Sequence, residues 1–344
     1  MINFKRFIFN FSSSYTGGGL KRLLAFSKWF NKNGGAHFIV NTKLNHHMGN
    51  FQNNSYYYVN LNRFQKTLNL QGYVKSVFNK TNGCDFYYSY NIPMKKFNTK
   101  ISWFHLSNVL PLISKSDFNI PTTRKIELRW LGVLIKKGLS KSDFISAESN
   151  YSLDLISNFS NGLFQLSLNG SDDELRLISK HKSFKKFENF AVLIGTYYHK
   201  NLEDSFKIFK YLKLKNKNLK LHIFGEISTI PLSIAKDSDV ILHGIQNHSI
   251  IIDFLQRSSY YINTSLVENS WNAAAEGVFL SRESFISDIP PHRELIKGSK
   301  VNVLRNINTT TPLLNLKKEN NEAINLTSWD EEIKKIIYQV NKIK

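Results

Sequence analysis

Residues 260–276 read YYINTSLVENSWNAAAE, a short apolar strand-like run followed by a loop and the start of a helix. Two carboxylates in this stretch, Glu268 and Glu276, lie eight positions apart. On one continuous helix, this spacing would put the side chains about 80° apart. The sequence instead predicts that Glu268 precedes the helix and that Glu276 lies in its second turn, so that both carboxylates can face one cleft. In isolation, such a spacing more often belongs to a solvated helix with two acids.

Apolar strand-like runs alternate with helix-length amphipathic segments along the chain, a pattern typical of α/β domains with parallel sheets. Strands are predicted in two series, at residues 4–10, 37–41, 56–60, 84–89, 100–105, 143–147 and 163–167, and at 189–195, 219–225, 240–244, 260–264 and 283–287. The predicted organisation is an N-terminal domain (1–170), a polar linker (171–187), a second domain (188–326) and a closing helix (327–344). Domains of this class bind ligands at the carboxyl ends of their strands.

The charge of the 344-residue chain is strongly positive, with 46 Lys and Arg against 26 Asp and Glu. Residues 1–170 carry most of the excess, since they contain 21 basic and 6 acidic residues. A polybasic surface can bind nucleic acid, an anionic membrane or a phosphate-bearing substrate. Charge alone does not choose among these three partners.

No apolar run reaches the roughly 18 to 20 residues that span a bilayer. The apolar run Phe7–Phe9 behind Lys5 and Arg6 is too short for the core of a signal peptide. A single cysteine, Cys84, excludes an internal disulfide and a cysteine-based zinc site. These features predict a cytoplasmic protein.

Four segments of the second half resemble the donor-binding domain of retaining glycosyltransferases of family 4, which have the GT-B fold. In chain order they are NFAVLIGTYYHKNLEDSFKIFKYL (189–212), LKLHIFGE (219–226), VILHGIQNHSIIIDFLQRSSYYINTSLVENSWNAAAEG (240–277) and SFISDIPPHREL (284–295). Looser matches in the first half are SSSYTGGGLKRLLAFSKWFNKNGGAHFIVN (12–41), ISWFHLSNVLPL (101–112), FISAESNYSLDLI (144–156) and LFQLSLNG (163–170). The resemblance covers nearly the whole chain.

The resemblance implies two Rossmann-like, doubly wound domains that face each other across a cleft, with the closing helix packing back toward the N-terminal domain. It also implies a metal-independent, retaining hexosyltransferase of the bacterial surface-polysaccharide type, with a nucleotide-diphosphate sugar as co-substrate and no cofactor. The acceptor would be a lipid-linked or free glycan, bound by the first domain. The enzyme would be peripheral at the anionic inner face of the inner membrane, and no nucleic-acid partner is expected.

The same resemblance assigns roles at the donor. Lys200 would neutralise the departing diphosphate, Glu268 would contact sugar hydroxyls, and Glu276 would contact the ribose. The rest of the donor site would comprise Thr196, Ser270, Trp271 and Asn272. The family usually has arginine where this chain has Thr196, and glycines where it reads NSWN.

In the first half, Gly17, Gly18 and Gly19 lie between a predicted strand and a helix, where the backbone can approach an anionic ligand closely. Gly18 and Gly19 are assigned to the donor, and Gly17 with Tyr15 to the acceptor side. A tight turn without a ligand is an equally valid interpretation. The resemblance presents His105 to the donor sugar as a catalytic residue, whereas a lone histidine that ends a strand is otherwise usually structural.

Two further motifs have a structural and a functional interpretation. Asp237 and Asp239 have the D-x-D spacing of some metal sites, but a solvated turn before a strand is the favoured interpretation. Residues 124–141 form a basic amphipathic segment with Trp130 that could lie on an anionic membrane or be an ordinary surface helix.

Two alternatives to the transferase hypothesis stay open. One is a non-catalytic protein that keeps the fold, suggested by Thr196 and the NSWN loop. The other is a nucleic-acid-binding protein, suggested by the net charge of +20, although the sequence lacks an RNA-recognition signature, zinc fingers and a clear helix-turn-helix.

Overall fold

The computed structural model describes residues 6–60, 65, 71–113, 120–171, 175, 187–321, 324 and 326–342. These residues form two compact units. Unit 1 contains the described residues up to 113 together with 121–170 and 327–342, and unit 2 contains Ile120 and the described residues from 171 to 326. Most of the predicted linker, 171–187, lies outside the described residues.

Unit 1 is built on a parallel sheet. Its described strands are β1 (Phe7–Asn10), β2 (His37–Asn41), β3 (Ser55–Val59), β4 (Cys84–Tyr90), β5 (Thr99–Leu106), β6 (Phe144–Ala147) and β7 (Leu163–Leu166). Their spatial order is β3-β2-β1-β4-β5-β6-β7. The winding direction reverses between β1 and β4, which makes this the point where such sheets bind ligands.

The described part of unit 2 is also built on a seven-stranded sheet, which is mixed rather than fully parallel. Its described strands are β8 (Glu188–Ile194), β9 (Lys220–Phe224), β10 (Val240–Gly244), β11 (Ser258–Asn263), β12 (Glu283–Ser287), β13 (Asn302–Leu304) and β14 (Leu313–Lys317). The order is β10-β9-β8-β11-β12-β14-β13, and only the pairs that involve β14 are antiparallel. Here the winding direction reverses between β8 and β11.

Helices connect the parallel strands. The described ones are α1 (Gly17–Lys32), α2 (Gly72–Lys80), α3 (Thr122–Leu139), α4 (Asn150–Ser157), α5 (Leu202–Lys215), α6 (Leu232–Ala235), α7 (His248–Arg257), α8 (Asn272–Leu280), α9 (Pro290–Leu295) and α10 (Trp329–Lys342). Among them, none is both long enough and apolar enough to cross a membrane.

Aromatic side chains fill the core of unit 1. Every residue of β1 is buried, as expected for a parallel strand that is covered on both faces. The Phe9 ring lies 4.8 Å from that of Phe30, 5.2 Å from that of Phe38 and 5.4 Å from that of Phe26, measured between centroids. This cluster packs α1 onto the sheet.

The C-terminal helix α10 belongs to the same core. Ile333, Ile336, Ile337 and Val340 recur at helical spacing and are all buried there. Its start is a capping box: Ser328 Oγ accepts from the backbone N–H of Glu331, and Glu331 Oε2 accepts from the backbone N–H of Ser328. The start signal predicted at Ser328 is thus confirmed.

All twelve strands predicted from the sequence are present, with ends within three residues of those predicted; residues 4 and 5 of the first predicted strand lie outside the described residues. The sequence did not predict β13 or β14. β13 has three residues, and β14 pairs antiparallel with β12 in a region where strand-helix alternation ends. The helix expected after Glu268 begins at Asn272, which leaves Glu268 ahead of it and puts Glu276 in its second turn, as predicted.

A glycine in α8 supports a prediction about packing. A Cβ added at Gly277 would lie 2.0 Å from Cδ1 of the Tyr261 ring, which is fully buried in β11. We expect Gly277→Ala to lower the free energy of unfolding by about 1–3 kcal/mol, because neither partner can move easily. Urea unfolding would measure it. Gly72→Ala, at an open position that starts α2, is the control and should change little; equal effects of the two substitutions would contradict this packing.

Candidate functional site

The site is built where the winding of the unit 2 sheet reverses, at the carboxyl ends of β8 and β11. The loop after β8 begins at Gly195, whose φ of +86° favours glycine. A Cβ there would lie 3.2 Å from Lys200 Cε, so the bare backbone leaves room for the lysine stem. The loop after β11 carries Glu268.

Lys200 and Glu268 form an ion pair, with 2.5 Å between Nζ and Oε1. Their side chains are only 13% and 16% exposed, respectively, so solvent screens the attraction weakly. The residues are 68 positions apart in the sequence. The fold therefore brings together the two residues that the sequence analysis assigned to the diphosphate and the sugar.

A chain of side-chain hydrogen bonds fixes Glu268. Ser265 Oγ lies 2.6 Å from Glu268 Oε1 and 2.6 Å from Asn263 Oδ1. Asn263 ends β11 and donates its amide to Tyr261 Oη at 3.2 Å. Ser287, at the end of β12, donates its hydroxyl to the Ser265 backbone oxygen at 2.6 Å. The carboxylate is thus held by the ends of two adjacent strands.

The two loops are also joined through their backbones. The Leu266 N–H donates to the His199 carbonyl at 2.8 Å, and the Thr264 hydroxyl donates to the Asn201 carbonyl at 2.7 Å. Asn201 has a φ of +51°, which turns the chain into α5 directly after Lys200. These bonds keep Lys200 and Glu268 in register with each other.

The electrostatics of the pair favour two charges at neutral pH. Burial raises the pKa of Glu268, but the nearby charge of Lys200 and the hydrogen bonds from Lys200 and Ser265 outweigh burial and lower it. Burial, assisted by Lys200, lowers the pKa of His199 to about 4. The site therefore holds an ammonium, a carboxylate and a neutral imidazole.

Glu276 is buried in α8 and has a different partner. Its Oε1 lies 2.9 Å from Nε2 of His248, the first residue of α7. The structure thus separates the two acids by partner, with Glu268 on Lys200 and Glu276 on His248. His248 was not among the predicted site residues, although it lies in GIQNHS, within one of the segments that carry the resemblance.

Thr196 is part of the scaffold. It is buried, and its hydroxyl donates to the Glu226 carbonyl at 2.9 Å. Thr229 Oγ1 lies 2.8 Å from Thr196 Oγ1 and donates to the Thr196 carbonyl at 3.0 Å. These contacts tie the β8 loop to the β9 loop, so a direct donor contact of this side chain stays a prediction.

The NSWN loop leads into α8. Trp271 occupies the N-cap position without a side-chain capping bond, and its ring packs partly buried against the unit 2 core. Its carbonyl accepts from the Ala275 N–H at 2.7 Å. Ser270 and Asn272 flank it, so the helix N-terminus and both polar side chains lie on the loop that carries Glu268.

A histidine outside the predicted set contacts Ser287, whose hydroxyl donates to the Ser265 carbonyl. His292, in the quoted segment SDIPPHRE, is fully buried and donates from Nδ1 to the Ser287 carbonyl at 2.8 Å. Burial lowers its pKa, which keeps the ring neutral. The sequence signal for His292 and for His199 is their position inside segments that carry the family resemblance, since neither residue forms a recognisable pattern of its own.

In unit 1, Gly17, Gly18 and Gly19 form the first turn of α1, which has no side-chain cap at Thr16. A Cβ at Gly19 would lie 3.1 Å from Ser14 Oγ, so glycine allows this turn to approach the β1 loop closely. The Tyr15 side chain is partly exposed, and Lys43 Nζ lies 4.5 Å from its ring centroid. The predicted glycine turn thus starts a helix at the carboxyl edge of the sheet.

His105 lies inside unit 1, with no exposed surface. Trp103 donates to Ser146 Oγ at 2.7 Å, which leaves the Ser146 hydrogen for His105 Nδ1 at 2.8 Å. His105 Nε2 then faces Glu148 Oε1 at 3.4 Å. Burial lowers the pKa of His105 to about 4, so the ring is neutral and both nitrogens are engaged. Its predicted contact with a sugar stays a prediction.

The D-x-D motif is neutralised by lysines. Asp237 pairs with Lys210 at 2.5 Å, and Asp239 pairs with Lys213 and Lys220, both at 2.8 Å. Within the described part of the chain, no three His, Cys, Asp or Glu side chains are grouped so that they could hold a metal ion.

Comparisons with known proteins give structural matches only. No protein-family model matches the sequence, and no curated protein matches it. A glycosyltransferase from Rickettsia africae ESF-5 superposes with a TM-score of 0.64 at 15% identity, covering 99% of this chain and 100% of that one. WaaG, a glycosyltransferase involved in lipopolysaccharide biosynthesis, gives 0.61 at 9% identity, covering 85% and 84%.

A third similar structure is that of HepE from Anabaena, in complex with UDP and glucose. It gives a TM-score of 0.56 at 14% identity, covering 86% of this chain and 83% of that one. At such identities the likeness concerns the fold. The predicted fold class is confirmed: the chain has two Rossmann-like units built on largely parallel sheets, the fold of GT-B glycosyltransferases.

Proposed function

We propose that the protein is a glycosyltransferase that transfers a hexose from a nucleotide-diphosphate sugar to a glycan. The observation that carries this proposal is the Lys200–Glu268 ion pair at the ligand-binding edge of unit 2. The fold supports it, because all three structures compared above are of glycosyltransferases or hold a nucleotide and a sugar. The HepE complex supports a uridine nucleotide and glucose as the first ligands to try.

In this proposal, each polar group meets a different part of the donor. Lys200 places its ammonium against the diphosphate, and Glu268 holds that ammonium while it accepts hydrogen bonds from sugar hydroxyls. Glu276 accepts from the ribose hydroxyls, next to His248. The N-terminus of α8, with Ser270, Trp271 and Asn272, adds backbone donors for the phosphates.

The chemical step requires stabilisation of the leaving group. The bond from the anomeric carbon to the diphosphate oxygen breaks, and a bond from that carbon to the acceptor oxygen forms on the same face, which gives retention. The acceptor hydroxyl proton passes to a departing diphosphate oxygen, so the protein needs no separate base. Lys200 stabilises the negative charge that develops on that oxygen, in a site shielded from water. The proposed reaction therefore uses this ammonium in place of a metal ion.

For the acceptor, we propose a glycan carried on polyprenyl diphosphate in bacterial surface-polysaccharide synthesis. The excess of basic residues in 1–170 supports an anionic acceptor, and the start of α1, with Gly17 beside Tyr15, offers it a helix N-terminus. The role of WaaG in lipopolysaccharide biosynthesis supports this class of product. Such an acceptor would place the enzyme at the cytoplasmic face of the inner membrane.

A non-catalytic role is the second candidate. The observation that favours it is Thr196, which stands where the resembled family usually has arginine. Its hydroxyl donates a hydrogen bond to the Glu226 carbonyl. Such a protein would bind a nucleotide without turning it over. Calorimetry beside a turnover assay distinguishes the two.

The proposed roles predict the effect of substitutions on turnover. Thermal-shift screening with UDP, GDP and other nucleotide sugars identifies the donor, since a ligand of the native state raises the melting temperature. With that donor, we expect Lys200→Ala and Glu276→Ala each to lower kcat/KM by about 100-fold or more. Lys236→Ala, an exposed lysine of the same unit, is the control. Unchanged turnover in the first two variants would refute the assigned roles.

The lowered pKa of Glu268 predicts a pH dependence of stability. As the pH falls through 4.5, the ordinary glutamate pKa, the unfolded chain takes up a proton that the folded chain resists. This stabilisation is therefore full above the unfolded pKa and is lost as the pH falls through the folded pKa. We expect Glu268→Gln to lower the free energy of unfolding by about 1–3 kcal/mol at pH 7, and by progressively less as the pH falls below 4.5.

Urea unfolding between pH 7 and pH 4 measures this difference. Glu203→Gln, an exposed acid in the first turn of α5, is the matched control and should show a small difference at every pH. A Glu268→Gln difference that did not shrink at low pH would mean that the carboxylate charge is not what stabilises the site.

A further inference from the structure

Helix α3 displays an apolar stripe on the surface of unit 1. Ile126, Trp130 and Val133 are 61%, 46% and 40% exposed, respectively. They follow one another at intervals of four and three residues, so they lie on one face of the helix. Large apolar side chains that are exposed in a row, rather than singly, mark an interaction surface.

The opposite face of α3 is fixed against the body of unit 1. A Cβ at Gly132 would lie 2.2 Å from the Pro111 carbonyl oxygen, and one at Gly138 would lie 2.7 Å from the Met94 nitrogen. Leu128, Leu131, Ile135 and Leu139 are buried on this side. Because two glycines allow backbone contact there, the helix cannot rotate to hide its stripe without losing that fit.

Basic residues border the stripe. The helix carries Arg124, Lys125, Arg129, Lys136 and Lys137 and a single acid, Glu127, which pairs with Arg124 at 2.6 Å. Arg129 and Lys137 are exposed beside the apolar side chains. Long basic side chains around an exposed tryptophan are typical of helices that lie in the interface of an anionic membrane.

The apolar surface continues past the end of α3. Lys136 Nζ lies 4.5 Å from the ring centroid of Phe159, which is itself partly exposed. Phe159 lines one surface depression together with Leu163, an exposed residue at the start of β7. As the crossover between β5 and β6, α3 runs from the carboxyl edge of the sheet to its amino edge. Its N-terminal end, with Ile126, thus lies toward the edge that carries the first turn of α1.

We propose that the exposed face of α3, formed by Ile126, Trp130 and Val133 with Arg129 and Lys137, docks on an anionic lipid bilayer. The apolar side chains enter the headgroup region, and the basic side chains bind lipid phosphates. A nucleic acid would use the charges but not the aliphatic side chains of Ile126 and Val133, which is why the bilayer fits better. The proposal does not depend on the transferase activity.

The test is co-sedimentation of the full chain with extruded vesicles of phosphatidylcholine alone or with 30% phosphatidylglycerol. We expect binding to the anionic vesicles that weakens as salt is raised.

The triple variant Ile126→Ser, Trp130→Ser, Val133→Ser should bind at least tenfold more weakly. The double variant Arg129→Gln, Lys137→Gln should lose binding most at low salt. Leu214→Ser, at an exposed leucine of α5, is the apolar control, and Lys236→Gln is the charge control.

Melting temperatures of all variants without vesicles confirm that each is folded. Equal vesicle binding by the wild type and the triple variant, or no binding of the wild type to anionic vesicles, would overturn the proposal. A triple variant that changed only the sedimentation coefficient of the free protein would also overturn it, since that result would assign the stripe to self-association. The vesicle assay does not use transferase activity. If the proposed transferase function were refuted, the result of the vesicle assay would still stand.

Discussion

The contact between the Lys200 ammonium and the Glu268 carboxylate is the interaction on which the candidate site of unit 2 depends. Two charges that are mostly shielded from water stay there only if they satisfy each other and their remaining hydrogen bonds. Unit 2 provides this with Ser265 on the carboxylate, Ser287 on the Ser265 backbone and a glycine that makes room for the lysine stem. The lysine ammonium is thereby held in a fixed position at the carboxyl ends of β8 and β11, where the winding of the sheet reverses.

The two units use the same sheet edge differently. In unit 2, the strand ends carry an ion pair that is partly open to solvent. In unit 1, the corresponding charges are enclosed: Arg22 is fully buried beside Glu148, which also accepts from Tyr90 and faces His105. Unit 1 instead leaves the uncapped first turn of α1 at its edge. This division fits the proposal of a donor held by charged side chains in unit 2 and of an anionic acceptor at the start of α1.

Most of the fold could be predicted from the sequence, because parallel strands buried on both faces read as continuous apolar runs. The FIFN of β1 and the YYIN of β11 are such runs. β13 escaped prediction because three residues, two of them exposed, leave no such signal. The helix after Glu268 was placed correctly because its alanines follow a strand and a polar loop.

The site was only partly predictable. The resemblance assigned Lys200 and Glu268 to the same donor, but the ion pair between them was not predicted, since residues 68 apart in the sequence have no local pattern that joins them. His248 as a partner of Glu276, and Ser265 and Ser287 as supports of Glu268, depend on how loops from separate strands meet. Thr196 and His105 show the converse: their positions match the motifs, but the tertiary contacts that engage their polar atoms become visible only in the folded chain.

The most direct test is calorimetric titration of wild type and Lys200→Gln with a nucleoside diphosphate and with its nucleoside, using the base that thermal-shift screening selects. If Lys200 is the phosphate anchor, the variant should lose at least tenfold in affinity for the diphosphate and keep its affinity for the nucleoside. Equal loss for both ligands, or no loss for the diphosphate, would contradict the role of Lys200 as phosphate anchor, because the ammonium would then have no specific role at the phosphates.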